Sequence, residues 1–559
     1  MFRTTSTDTQ LDMFSSTVNI ICERDRDYYN DENGWHNQFY KLVTSQIDER
    51  AFEVLFKKGN MGAPNASIRV LVAMNIIKEG LGCNDVELME KCRYDLLFRK
   101  ALGLEDINDA VPSINTYYLL RRRCVEYDRK EGVDLIKKAF QNVTSQQVKL
   151  FNISGKTVRM DSKLIGSNIA SYSRYEIVHD TLRLYVKQYG LNGLNPSLRV
   201  KVNEVLNEDP EKAVYRLTSS EIQERMKNIG IIIYRILVRV KAQDDLLLKR
   251  VFNEQFIVEK GKVTPRDKKL ISAKSVQNPH DPDAEYRNKA GKSCKGYSTN
   301  ITETCDEEGK PSLITGVEVK GATAADKDYV ESGIEDSEYI TGNKVTRAIC
   351  DGGYNSQSNR EYAAEKGIEI LATGLSGKES RYQVNENNGE FSIIDKKTEK
   401  IYHPAKTKGG RYRIETGGET KYRYFTQQQI DSLRRRQEFS EVPQSEKNKR
   451  NNVEAAMFQY SFHTRNGKTR YRGMRKHRMQ AYYRCMWMNF RRLMLFQMSG
   501  NDGLISCFIT HFSAKKAYFF LKSLIKFGEQ KKYQYFCIEK IWSQSSCFRI
   551  IMAGMTPKI

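Results

Sequence analysis

Lys344-Val345-Thr346-Arg347-Ala348-Ile349-Cys350 runs straight into Asp351-Gly352-Gly353. A short run of β-formers stopped by a turn signal predicts a strand ending at Asp351. A helix through Glu361-Tyr362-Ala363-Ala364-Glu365-Lys366 should follow and stop at Gly367, where Ile368-Glu369-Ile370-Leu371-Ala372 begins another strand. Strand, helix and strand with short connections make a βαβ unit, which predicts an α/β protein. Upstream, Thr157-Val158-Arg159-Met160-Asp161 alternates as a strand does, with polar residues on the Asp161 side. Residues 296–302 and 313–319 are β-like, and Asp306-Glu307-Glu308-Gly309-Lys310 between them reads as a hairpin turn.

Around this α/β section the chain changes character. Residues 1–45 read as an irregular arm. Ile68, Leu71, Val72 and Ile76 mark one face of a helix begun after Pro64 and stopped near Gly80. Asn84 caps a second helix through Arg93, and Pro112-Ser113 opens a third that carries Arg121, Arg122 and Arg123. This is compatible with a helix-turn-helix-like DNA-binding module, and equally with a bundle presenting a solvated basic face. Residues 175–260 turn helical again. Glycine pairs at 409–410 and 417–418, with tyrosines among lysines and arginines, make 376–428 a β-rich insertion. The expected organisation is a helical domain over 1–150, a core over 151–375 with the helical insertion inside it, the insertion 376–428, a helical completion over 429–498, and a basic aromatic tail over 499–559.

Composition narrows the partners. The 559 residues are 39% hydrophobic and 29% charged, enough for a packed core and too apolar for general disorder. A net charge of +22 favours a polyanion, most often nucleic acid. Residues 1–10 lack the apolar stretch of a signal peptide, and the most apolar run, 231–240, is broken by Arg235 and Arg239 and is short for a bilayer span. The 11 cysteines include no CxxC pair and the 7 histidines no HExxH, so neither a zinc site nor a disulfide framework is predicted. The expectation is a cytoplasmic, nucleoid-associated protein whose metal, if any, is held by carboxylates.

Two aspartates at predicted strand ends, Asp161 and Asp351, suit a hard cation such as Mg²⁺ or Mn²⁺, because like charges brought together need one. Either alone is more often a turn or cap residue, and Asp351 before two glycines could simply make an Asx-turn. Arg450 and Glu454 share one helix face, four residues apart. Downstream, residues 465–492 hold ten Lys/Arg and no Asp or Glu, with Tyr471, Tyr482, Tyr483, Trp487 and Phe490 interleaved. Such a stretch can contact phosphates and stack bases, although Met486, Phe490 and Leu493 follow helical core spacing.

Several of these features occur together, and in this order, in a known family. Gly62-Ala63-Pro64, Phe98-Arg99-Lys100-Ala101-Leu102-Gly103-Leu104, Met160-Asp161-Ser162, Asp281-Pro282-Asp283-Ala284 with Gly296-Tyr297, Cys350-Asp351-Gly352-Gly353-Tyr354 and Arg450-x-x-x-Glu454 resemble the DDE transposases of bacterial insertion sequences over roughly residues 40–498. The resemblance implies a mixed-sheet, RNase H-like catalytic core in which Asp161, Asp351 and Glu454 hold two Mg²⁺ ions, with Mn²⁺ able to substitute. It also implies cleavage of the element's ends and strand transfer into target DNA. The implied partners are double-stranded DNA, both terminal repeats and target, and a second copy of the chain in the synaptic complex. Arg121, Arg122, Arg123, Arg450, Arg465, Lys468, Arg470, Arg472, Arg475 and Lys476 are the expected DNA contacts. The third motif is incomplete: Lys447 stands where the family has Tyr, and Ser461 where it has Lys. Glu438, Glu441 and Glu446 therefore compete with Glu454. A metal-dependent nuclease without strand transfer and a catalytically decayed DNA-binding protein are the alternatives.

Overall fold

The computed structural model describes residues 2–5, 14–57, 64–239, 246–372, 380–387, 390–416 and 421–499, so the expected tail lies outside the described residues from 500 onward. The chain divides into two compact units, Met1–Leu493 and Met494–Ile559. The architecture that follows is that of the first.

Six strands build the central sheet: β1 (Thr157–Gly166), β2 (Glu285–Lys289), β3 (Lys292–Thr304), β4 (Ile314–Gly321), β5 (Arg347–Cys350) and β6 (Glu369–Ala372). Their order is β2-β3-β1-β5-β6, with β4 alongside β3. β3 runs antiparallel to β1, β2 and β4, whereas β5 lies parallel to both β1 and β6. The sheet is thus mixed. Its parallel half is the βαβ unit, with the helix Gln357–Lys366 as the crossover.

Alternation along β1 sorts its side chains between two layers of helix. Val158 and Met160 face one way and are fully buried with Val330, Ile334, Ala348 and Tyr354. That layer includes helix Val330–Thr341, whose Gly333 has no room for a side chain: a Cβ there would sit 2.5 Å from Thr302 Oγ1. Arg159, Asp161 and Lys163 face the other way, toward helix Asn451–Tyr460.

The helical block before the sheet contains Ile68–Leu81, Asp85–Tyr94, Leu96–Leu102, Ile114–Glu131 and Leu135–Leu150. Ser67, Asn84 and Ser113 cap three of these, each accepting a backbone N–H in the first turn. Helix Ile68–Leu81 is buried on nearly all sides rather than along one stripe. Gly80 explains part of this, because a Cβ would fall 2.1 Å from the Trp487 indole. The irregular arm predicted for 1–45 is instead largely helical where described, over Thr17–Ile20, Glu23–Asn30 and Trp35–Leu42. Its aromatic residues supply the reason: Trp35 packs edge-on against Phe98, and the fully buried Phe39 against Phe490.

The helical insertion has its own core, with Val178, Leu182, Val202, Ile229, Ile233, Leu248 and Val251 inside. The β-rich insertion forms two three-stranded sheets closed over Tyr382, Val384, Ile393, Ile414 and Phe425. Helix Gln427–Glu441 follows it and takes in Glu438 and Glu441. Among the described residues, no helix is long and apolar enough to cross a membrane.

Candidate functional site

The alternation predicts a strand ending near Asp161, but β1 continues to Gly166 because it keeps pairing with β3 as far as Gly166 opposite Gly296. Asp161 is still at an edge of a different kind. The parallel pairing with β5 runs from Thr157 opposite Arg347 to Arg159 opposite Ile349, an offset of 190. The same offset separates Asp161 from Asp351, so the register carries both carboxylates to one level, where the shorter strand has just ended. Sequence spacing could not show this; strand register does.

Helix Asn451–Tyr460 lies along the charged face of β1 and is fixed to it at three levels. The Arg159 guanidinium donates to Lys449 O (3.0 Å), Arg450 meets Asp161, and the Lys163 ammonium donates to Ser461 Oγ (2.7 Å) and Met457 O (3.3 Å). At the middle level one guanidinium faces three carboxylates. Arg450 Nη2 is 3.0 Å from Glu454 Oε1 and 3.9 Å from Asp161 Oδ2, and Nη1 is 3.9 Å from Asp351 Oδ1. Arg450 and Asp161 are 18% and 19% exposed, Asp351 and Glu454 46% and 56%, so the cluster opens to solvent on the Asp351 and Glu454 side. Each aspartate also accepts the N–H of its following residue, Ser162 (2.9 Å) and Gly352 (2.7 Å).

Burial pushes the Asp161 carboxyl above the usual carboxylate range. Arg450 and the Ser162 N–H pull it back, while the charges of Glu454 and Asp326 add to the rise. Asp326 was not expected from the sequence. It reaches the site through Ser162, whose hydroxyl donates to it, and no local motif marks it.

Two of the competing glutamates, Glu441 and Glu446, are placed elsewhere. Glu446 is locked to Arg347 (2.9 Å) and Lys449 (2.7 Å), and the exposed Glu441 ends its helix. Lys447, at the position of the missing tyrosine, lies over the Phe439 ring. Among the described residues, no group of three or more His, Cys, Asp or Glu side chains is close enough together to hold a metal ion. What converges instead is carboxylate oxygens, from a strand, a strand end and a helix, turned toward a single positive group, and carboxylate oxygens are the hard donors that Mg²⁺ takes.

The basic residues divide into two kinds. Arg121 is turned inward, near Asp85 and against the Tyr117 and Tyr471 rings, whereas Arg122 is 68% exposed and Arg123 lies over Phe56. Arg470 donates to the carbonyls of Gly82 and Cys83, and Arg484 to those of Glu79 and Gly80. Together they satisfy the carboxyl end of helix Ile68–Leu81, where cations are favoured by the helix dipole. Lys468 donates to Ile169 O, Arg472 to Asn168 O, and Arg475 pairs with Asp128. Arg465 and Lys476 are exposed. Much of the basic stretch therefore ties the helical block to the end of β1.

A mixed α/β core beneath a helical N-terminal block, with a carboxylate cluster at the sheet, is the class of protein these features define. Residues 28–123 match a family described as a transposase domain (DUF772). No curated protein and no solved structure matches the chain.

Proposed function

We propose that the chain is a DDE transposase that cuts its element's ends and joins them to target DNA. The observation that carries this reading is the approach of Asp161, Asp351 and Glu454 to the Arg450 guanidinium. The mixed sheet, with Asp161 on a central strand and Asp351 at the end of its parallel neighbour, supports an RNase H-like core. The transposase domain over residues 28–123 and the +22 charge support a DNA substrate.

In this reading Asp161, Asp351 and Glu454 would hold a pair of Mg²⁺ or Mn²⁺ ions. When bound, such a pair supplies Lewis-acid activation of the attacking oxygen and stabilises the leaving oxygen of an in-line displacement. Arg450 offsets part of the carboxylates' charge without metal, and its buried Nε has no acceptor among the described residues. A DNA phosphate entering the cluster would give that guanidinium a partner of the right charge. The Ser162 and Gly352 N–H groups hold the two aspartates in orientation throughout. No nucleophilic side chain is required. Pairing two element ends calls for a second copy of the chain in the synaptic complex.

The test is to incubate the protein with the DNA flanking its gene and Mg²⁺, then map nicks and joined products. Nicks with strand joining support the transposase. Hydrolysis alone would make it a nuclease, and binding without cutting a decayed DNA-binding protein.

A further inference from the structure

Lys163 is the least explained charge beside the carboxylate cluster. It lies two residues beyond Asp161 in β1, so both side chains leave the same face of the strand. It is half-buried, yet no carboxylate lies within ion-pair distance of its ammonium among the described residues; its partners are one hydroxyl and one carbonyl, both neutral. Burial penalises the ammonium and the charge of Asp161 offsets this only through space, so an anion in direct contact would still be favoured there. The hydroxyl it contacts belongs to Ser461, seven residues after Glu454, where the third motif has lost its lysine.

We propose that Lys163 supplies from the strand the cation missing from the helix, and that it grips a backbone phosphate of the DNA end lying in the carboxylate site. The two neutral hydrogen bonds hold the ammonium at the end of helix Asn451–Tyr460 and leave its third N–H for the phosphate oxygen. Arg465 and Lys468 are poorer substitutes: the first is exposed on the following turn, and the second spends its ammonium on Ile169 O. This assignment rests on the DNA-cutting role proposed above.

The experiment compares wild type, Lys163→Gln, and Lys163→Gln combined with Ser461→Lys. Binding to labelled duplex from the gene's flanks is followed against salt with Ca²⁺ in place of Mg²⁺, cleavage is followed with Mg²⁺, and thermal unfolding is measured on each variant. Glutamine keeps a donor for Met457 O and removes only the charge. Lys163→Gln should lower the slope of log K against log salt by about 0.9, the signature of one phosphate contact. It should also slow cleavage about 10- to 100-fold, the scale of one charged hydrogen bond. Adding Ser461→Lys should return both. An unchanged slope overturns the assignment, as does a loss that follows falling thermal stability and is not restored by Ser461→Lys. If wild type binds but does not cut, the transposase reading fails while the salt slope still decides Lys163; if it binds no DNA, both fail.

Discussion

The two faces of β1 are made from one strand and do opposite work. Val158 and Met160 are fully exchanged from water into an apolar layer with helix Val330–Thr341. Arg159, Asp161 and Lys163, interleaved with them, carry charge toward helix Asn451–Tyr460. The apolar face can be judged by volume, because deleted atoms leave a cavity. The charged face must be judged by pairing, because each group there is tolerated only while its partners remain. The contrast explains why one strand can be both a structural centre and the base of a site.

The largest effect is expected on the charged face. Asp161→Asn and Asp351→Asn keep side-chain size and remove the charge that would hold metal, so each should reduce cleavage on the order of 10³-fold or more while leaving DNA-end binding nearly intact. Glu454→Gln should do the same. Glu438→Gln, Glu441→Gln and Glu446→Gln should keep most activity in the same nicking assay. Substantial Mg²⁺-dependent cutting by Asp161→Asn would end the contrast between the faces.

On the apolar face, Met160→Ala should cost about 2–5 kcal/mol in denaturant unfolding, with the protein that remains folded cutting at an unchanged rate. A selective loss of cleavage without destabilisation would mean that the layers are not separable in this way.

A slightly smaller effect should come from His477, fully buried against Tyr297 near the far end of the charged face. Burial lowers its pKa from 6.5 to about 4. Above pH 6.5 neither folded nor unfolded chain carries this proton. Between pH 6.5 and 4 the unfolded chain takes it up and the folded one resists, so stability falls as pH falls, by roughly 3 kcal/mol in all. His477→Gln should remove that share of the slope in urea titrations across this window. His36, also lowered by burial, would contribute a remainder of the same sign.

The smallest differences should separate the basic residues. Arg122→Ala should leave stability within about 0.5 kcal/mol and reduce the salt slope of DNA binding by about 0.9. Arg121→Ala should instead lower stability by about 1–3 kcal/mol, since it removes a cation stacked between Tyr117 and Tyr471. Equal behaviour of the two would show that adjacency in sequence outweighs their different burial.

Much of this was legible before any coordinates. The β-runs, the turn at Asp351-Gly352-Gly353, the caps at Asn84 and Ser113, and the pairing of Arg450 with Glu454 are local, and local backbone preference and periodicity determine them. The helices of residues 17–42 are not legible in the sequence because they depend on distant aromatic partners, Phe98 for Trp35 and Phe490 for Phe39. The basic stretch was readable as charge but not as geometry. Whether an arginine meets a phosphate or caps a helix depends on what lies opposite, and for Arg470 that is a helix end nearly 400 residues away in sequence.

By itself, then, the sequence determined the mixed helical and β composition, the βαβ unit around Asp351 and the identity of the charged groups, since these follow from residue type and spacing within a few turns of chain. Only the tertiary structure decided that Asp161 and Asp351 stand level, that Arg450 faces both, and that Lys163 reaches Ser461. Those relations are set by strand register and by the packing of one helix on one face of a sheet, and a one-residue slip in either would turn every one of these side chains away from the others.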